Sequence, residues 1–275
     1  MTYGLIAGGG EFPLLTLRAA RALGHTIFAV AVREEASPEV ECLADGCKWV
    51  SLGELSKLIR ALRSQGVTEA VMNGRIQHRQ IYSAIRPDWR LLKVLNALRR
   101  KNTDSLLGAV AGVLEGEGIR ILDSTYFLTD SLARAGANGR RSPSRAERKD
   151  IRYGSEIARA LAAHDIGQSV AICDQACVAV EAMEGTDAVL ERAASIANGR
   201  RLTLVKVAKP NQDMRFDVPV IGPRTIRAMR SANATAVAVD AGRTLLLDKP
   251  RVMAHADRAG VSVVGMDSVG ITKPG

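Results

Sequence analysis

Apolar and polar positions along the chain fall into two alternating periods. Tyr3–Ala7 and Thr26–Val32 are short apolar runs of strand length. Phe12–Leu23, between them, places Leu14, Leu15, Leu17, Leu23 and several alanines at helical spacing. Gly8-Gly9-Gly10 joins the first run to that helix. Strand, glycine turn, helix and strand in this order open a doubly wound, Rossmann-like α/β domain. Leu52–Ser64 predicts a helix with Leu52, Leu55, Leu58, Ile59 and Leu62 on one face, and Glu69–Met72 a buried strand that leaves through Asn73-Gly74-Arg75. Ligands of open α/β sheets sit beyond the carboxyl ends of the strands, so Gly8–Gly10 and Gly74 fall on the ligand edge.

Ile76–Asp88 is irregular and polar. Asp88 then caps a predicted helix, Trp89–Arg100, whose leucines alternate with Arg90, Lys93, Arg99 and Arg100. Such a basic amphipathic helix either packs inward or rests on an anionic lipid surface. Leu106–Glu115 reads as a further helix, with Asp104 at its start favoured by the helix dipole or facing the ligand edge. Ile119–Leu122 reads as a strand. Residues 134–149, rich in Gly, Ser, Pro and Arg, read as a linker between residues 1–133 and a second mixed α/β domain, 150–275.

In that second half, Asp150–His164 predicts a helix, and Ser169–Cys173 with Cys177–Ala182 a hairpin around Asp174-Gln175-Ala176. Glu184-Gly185-Thr186-Asp187 is a turn, with Thr186 or Asp187 placed to cap a helix ending near Asn198. Arg200–Val207, Thr235–Asp240, Thr244–Leu247 and Val261–Gly265 read as strands, and Thr225–Arg230 and Pro250–Ala259 as helices. Val205–Pro223 carries the densest chemistry. A strand gives way to the loop Lys209-Pro210-Asn211-Gln212, after which Lys206, Lys209 and Arg215 bracket Asp213 and Asp217. A carboxylate on apolar flanks among cations suits a metal or a phosphorylated ligand, as readily as it suits ordinary surface salt bridges.

Composition narrows the partners. The chain has 275 residues, enough for two ordinary domains, and at 47% hydrophobic and 24% charged it is of globular type. Only 4% is aromatic, so its cores are aliphatic. A net charge of +9 points to an anionic partner, whether nucleic acid, an anionic membrane or a phosphorylated ligand. Nucleic acid is disfavoured, because no aromatic residues interleave with the arginines of 134–149 to stack bases. Cys42, Cys47, Cys173 and Cys177 lack zinc spacing and are expected to be reduced thiols of a cytoplasmic protein. The first residues run straight into a strand, so no targeting peptide is expected, and no apolar run approaches the ~20 residues of a membrane span. The glycine turn lacks the full dinucleotide fingerprint, since Pro13 stands where G-x-G-x-x-G needs glycine, which argues against a nicotinamide cofactor. An anion or nucleotide site on that turn remains open, beside a turn that merely connects strand to helix.

Taken together, LIAGGG near the start, PDW at 87–89, VEAMEGTDAVL at 180–190 and KVAKPNQDMRFDVPVIGP at 206–223 resemble the UDP-2,3-diacylglucosamine pyrophosphatases of lipid A synthesis. The resemblance is to the two-domain type, distinct from the calcineurin-like enzymes with the same activity. It implies a Rossmann-like domain, a C-terminal α/β domain of unusual topology, and Mg²⁺-dependent hydrolysis to UMP and 2,3-diacylglucosamine 1-phosphate (lipid X) by attack on the sugar-side phosphorus. It further implies work beside the cytoplasmic face of the inner membrane of a Gram-negative bacterium. The family's essential aspartate matches Asp217, as catalytic group or metal ligand. The matched segments add Asp104, Glu184, Gly185, Thr186, Asp187 and Gln212 as substrate-binding candidates, beside Gly8, Gly9, Gly10 and Gly74 on the ligand edge and the cations Lys206, Lys209 and Arg215. Left open are Mn²⁺ in place of Mg²⁺, a homodimer, and a non-catalytic nucleotide- or lipid-binding module of the same fold.

Overall fold

The computed structural model describes residues 1–76, 87–98 and 103–267. Most of the irregular stretch 76–88, and Arg99 and Arg100, lie outside the described residues. The chain divides into two compact units: residues 1–129 with 213–217, and residues 130–212 with 218–275.

The first unit is built on β1 (Thr2–Ala7), β2 (Thr26–Val32), β3 (Gly46–Val50), β4 (Glu69–Asn73) and β5 (Arg120–Ile121). They form a parallel sheet in the order β3-β2-β1-β4-β5. The order reverses between β1 and β4, where Ala7 stands beside Asn73, so both glycine-bearing turns leave the sheet at its switch point. The helices are α1 (Phe12–Ala22), α2 (Glu39–Leu43), α3 (Leu55–Ser64), α4 (Trp89–Ala97) and α5 (Thr103–Gly116). Alternation along β1 sends Tyr3, Leu5 and Ala7 into one core with Leu14 and Leu17 of α1. Ile6 goes to the other, with Leu58 and Leu62 of α3 and Leu114 of α5. The helix starting at Trp89 is capped as expected: Asp88 Oδ1 accepts from Leu91 N at 3.0 Å, and its Oδ2 accepts from Ser56 N at 2.6 Å.

The second unit contains a five-stranded sheet in the order β13-β11-β9-β7-β8. Its strands are β7 (Ser169–Cys173), β8 (Ala176–Val180), β9 (Leu202–Lys206), β11 (Ala234–Asp240) and β13 (Ser262–Met266). β9, β11 and β13 run parallel, whereas β7 is antiparallel to both neighbours, which is the unusual mixed topology. The β7–β8 hairpin turns through Asp174 and Gln175, both at positive φ. β10 (Val220–Ile221) and β12 (Leu245–Leu246) pair separately. On one face of the sheet, Val189 and Leu190 of α7 (Thr186–Ala197), Ile226 of α8 (Pro223–Ser231) and Val252 of α9 (Lys249–Ala259) close the core. The other face is covered by Ile151 and Ala158 of α6 (Arg145–Ala163).

Two sequence-based expectations change. The segment 134–149 is not a loose linker. It holds β6 (Gly136–Ala137) and the first turn of α6, and Asn138 N donates to Val263 O at 2.8 Å. Arg141 Nη2 donates to both carboxylate oxygens of the fully buried Glu147 at 2.8 and 2.9 Å, while Ser144 and Glu147 form a reciprocal capping box. Burial pushes the Glu147 carboxyl up, but Arg141, Thr235 and Ser144 outweigh it and hold it below the usual range. Polar pairing replaces apolar contact here, so composition misleads. The second change is that α7 is not capped by Thr186 or Asp187: Gly185 occupies the N-cap with no side-chain cap, and both residues lie inside the first turn.

Candidate functional site

At the switch point of the first unit, Gly8 N donates to Asn73 O at 2.7 Å, and Gly9 and Arg75 exchange two backbone bonds at 2.8 and 2.9 Å. The two turns are thus zipped together. Gly74 has φ +100°, and a Cβ there would meet Gly8 C at 2.6 Å; one on Gly8 would meet Arg75 O at 2.8 Å. These glycines are needed first for backbone packing. The Gly8 and Gly9 amides are already engaged by Asn73 O and Arg75 O. Gly10 sits just before α1, with φ +92°. Asp104 falls in the first turn of α5, its side chain outside the described residues.

The same unit includes Asp213–Asp217. Ser124 holds this segment by donating both N and Oγ to Met214 O at 2.9 Å each. Phe216 packs on the α3–α5 core. Arg215 grips Asp213 through Nε at 3.0 Å and Nη2 at 2.7 Å, and reaches Glu115 through Nη1 at 2.8 Å. The arginine pulls the Asp213 carboxyl below its ordinary range, and Asp213 in turn pushes Arg215 up. Arg215 therefore shapes the loop: its charge is answered by two carboxylates before any phosphate arrives. Asp217, half-buried, donates its backbone N to Asp213 O at 2.9 Å.

In the second unit the Glu-Gly-Thr-Asp turn divides its labour. Glu184 accepts from Ala182 N at 2.9 Å and from Arg192 at 2.6 Å. Its own backbone amide and that of Ala182, with Arg192, hold its carboxyl below the usual range. Gly185 adopts φ 87°, ψ 161°, a region essentially reserved for glycine. Asp187 pairs with Arg224 at 2.7 Å. Thr186 turns toward the sheet, where Lys206 Nζ donates to its Oγ1 at 3.0 Å and Thr186 donates to Glu181 Oε1 at 3.1 Å, with Ser169 Oγ 3.2 Å away. Lys206 is 8% exposed, at the end of β9. The loop beyond it is rooted by Ala208 N on Asp240 Oδ2 at 2.7 Å and braced by Gln212 Oε1 on Lys209 N at 2.7 Å, while Lys209 Nζ meets Asp165 at 2.7 Å.

The structure thus brings together Thr186 with Lys206, Gln212 with Lys209, and Arg215 with Asp213. It adds Glu181, Ser169, Glu115 and Asp240, which local sequence does not single out because each partner lies at least five residues away. Among the described residues no three His, Cys, Asp or Glu side chains cluster as a metal cage. Mg²⁺ needs no such cage, since one or two carboxylates with phosphate oxygens and water suffice. The loop carries two carboxylates, Asp213 and Asp217, which is the number such an ion asks of a protein.

Comparison with known proteins covers nearly the whole chain. Residues 2–131 match the LpxI N-terminal domain and residues 134–264 the LpxI C-terminal domain. The chain is 35% identical over 274 residues to the UDP-2,3-diacylglucosamine pyrophosphatase LpxI of Caulobacter vibrioides, covering 96% of this chain and 97% of that protein. Among solved structures, a nucleoside-diphosphate-sugar epimerase from Pseudomonas aeruginosa aligns over 98% of this chain and 82% of its own at 11% identity and a TM-score of 0.36. The biotin carboxylase domain of the Hydrogenobacter thermophilus 2-oxoglutarate carboxylase aligns over 71% of this chain and 41% of its own at 12% identity and a TM-score of 0.28.

Proposed function

The chain belongs to the LpxI family through both of its domains, and from that membership we propose that it hydrolyses the pyrophosphate of UDP-2,3-diacylglucosamine, giving UMP and 2,3-diacylglucosamine 1-phosphate in lipid A biosynthesis. The observation that carries this reading is the 35% identity sustained over 96% of the chain. We further propose that Mg²⁺ is required and that the enzyme works peripherally at the cytoplasmic face of the inner membrane. No helix among the described residues is long and apolar enough to cross a membrane.

Hydrolysis of a pyrophosphate is opposed by the negative charge around phosphorus. Mg²⁺ supplies charge neutralisation of the phosphate oxygens, with Asp217 as the residue that would hold it or orient the attacking water. Lys206, its ammonium directed by the Thr186 hydroxyl, and Lys209 provide positive charge for the phosphates. Arg215 acts through the loop: by gripping Asp213 it fixes the backbone on which Asp217 stands.

The test is UMP release from UDP-2,3-diacylglucosamine by the purified protein with Mg²⁺ and then with EDTA. Metal-dependent formation of UMP together with the diacylglucosamine 1-phosphate is expected. A folded protein that binds the UDP-sugar and releases no UMP would instead favour a non-catalytic binding module.

A further inference from the structure

Helix α4 is apolar on two sides. Leu91 and Val94 are buried in the first unit's core, with Leu95 packed against it, which accounts for the inward face. Trp89 and Leu92 nevertheless stand 67% and 48% exposed. They lie three residues apart, on the same helical face as exposed Lys93 and Asn96. An indole left in water forgoes the burial that makes tryptophan favourable in a fold, so an outward Trp beside an outward Leu marks a surface that meets something apolar.

The surroundings say what. Trp89 borders two adjoining depressions. One, of about 540 Å³, is lined by the apolar Val94, Ala97, Leu98 and Val113 of α4 and the neighbouring α5. The other brings up Arg60 and Arg63 of α3. With Arg90 and Lys93 the rim holds, among the described residues, four cations against one carboxylate, Glu117, which pairs with both Arg63 and Arg90. The Arg90 guanidinium lies 5.2 Å from the Trp89 ring centre, keeping charge and indole at one level. Exposed indole and leucine within a net positive rim complement a surface that is apolar just beneath an anionic layer. A protein partner of matching shape would have to combine an acidic rim with an apolar centre, whereas an anionic bilayer presents that combination everywhere.

We propose that the outward face of α4 docks the protein on an anionic phospholipid bilayer, with Trp89 and Leu92 entering the headgroup boundary and Arg60 and Lys93 facing lipid phosphates. The docking face uses none of the residues proposed to act on the substrate. It rests on the functional reading only for which membrane is met.

The test uses vesicles without substrate, so its failure leaves the assigned hydrolysis intact. Wild type is sedimented with phosphatidylglycerol-containing vesicles and with purely zwitterionic ones, beside Trp89→Ser/Leu92→Ser and Arg60→Gln/Lys93→Gln. Wild type is expected to bind the anionic vesicles only, and to release at about 1 M salt, where the Debye length is ~3 Å. The serine pair is expected to lose tenfold or more in partitioning, and the glutamine pair about fivefold per cation removed. In a Trp49→Phe background the remaining indole emission is expected to shift to the blue on binding. Thermal melts matching wild type establish that both surface variants are folded. Equal sedimentation of wild type and the serine pair would overturn the proposal. So would absence of binding to anionic vesicles, or a concentration-dependent dimer that the serine pair abolishes, since the occupant would then be a second copy.

Discussion

Arg215 and Asp213 form a closed fork, Nη2 to Oδ2 at 2.7 Å and Nε to Oδ1 at 3.0 Å, two residues apart within one turn of chain. The pair is local, yet its second carboxylate, Glu115, comes from α5, a hundred positions away. Cation and loop are thereby fixed to the first unit.

That fork has a pH signature. Arg215 holds the folded-state Asp213 carboxyl below the unfolded value of ~3.9. A depressed carboxylate contributes stability that is present above the unfolded pKa and lost as pH falls through the folded one. Asp213→Asn should therefore melt below wild type at neutral pH, and the difference should narrow below about pH 4. Thermal melts across that range check it; a difference that stays constant with pH would assign the loss to shape rather than charge.

Backbone packing at the switch point predicts a contrast between two glycines. Gly74→Ala places a methyl 2.6 Å from Gly8 C at a positive φ, and should cost about 1–3 kcal/mol or more. Gly112→Ala, on the exposed side of α5 with nothing within 4 Å of the new methyl, should stabilise by roughly 0.5–1 kcal/mol. Denaturant unfolding of the two variants decides. A neutral Gly74→Ala would mean the zipped turns are not needed.

The Thr186–Lys206 bond predicts a third outcome. Thr186→Val keeps the volume but removes an acceptor from a buried ammonium and a donor from Glu181, so it should destabilise by about 1–3 kcal/mol. Thr186→Ser should recover most of the loss. If valine were tolerated at full stability, the network would not hold this end of β9.

How much of this was readable beforehand follows from the range of each interaction. β1, its glycine turn, α1 and the Asp88 cap are set by residues within a turn of one another, and their spacing displays them. β3 escaped because Gly46, Cys47, Lys48 and Trp49 are only partly covered or exposed and make no apolar run. Residues 134–149 escaped because their partners are remote: Glu147 takes Thr235, and Arg141 O accepts from Ser262. At the site, the motifs pointed to Thr186, Lys206 and Asp217. That Thr186 and Lys206 meet across twenty residues, and that Asp213–Asp217 packs with the first unit rather than the one flanking it in sequence, is tertiary information no local pattern contains.

The sharpest prediction compares the two aspartates of that loop. Asp217→Asn preserves shape and its backbone bond to Asp213 O, and removes the charge proposed for metal or water. Turnover of UDP-2,3-diacylglucosamine should fall by at least ~10²-fold with the melting temperature and UDP-sugar binding little changed. Asp213→Asn, by contrast, loosens the Arg215 fork and should lower stability first and turnover second. On the proposed role of Asp217 in holding Mg²⁺, its activity should recover partly as Mg²⁺ is raised, because a higher concentration offsets weaker binding. Measuring turnover, melting temperature and Mg²⁺ dependence for both variants separates the roles. If Asp217→Asn retains more than about a tenth of wild-type turnover, the essential charge lies elsewhere and Lys206 or Lys209 becomes the next residue to replace.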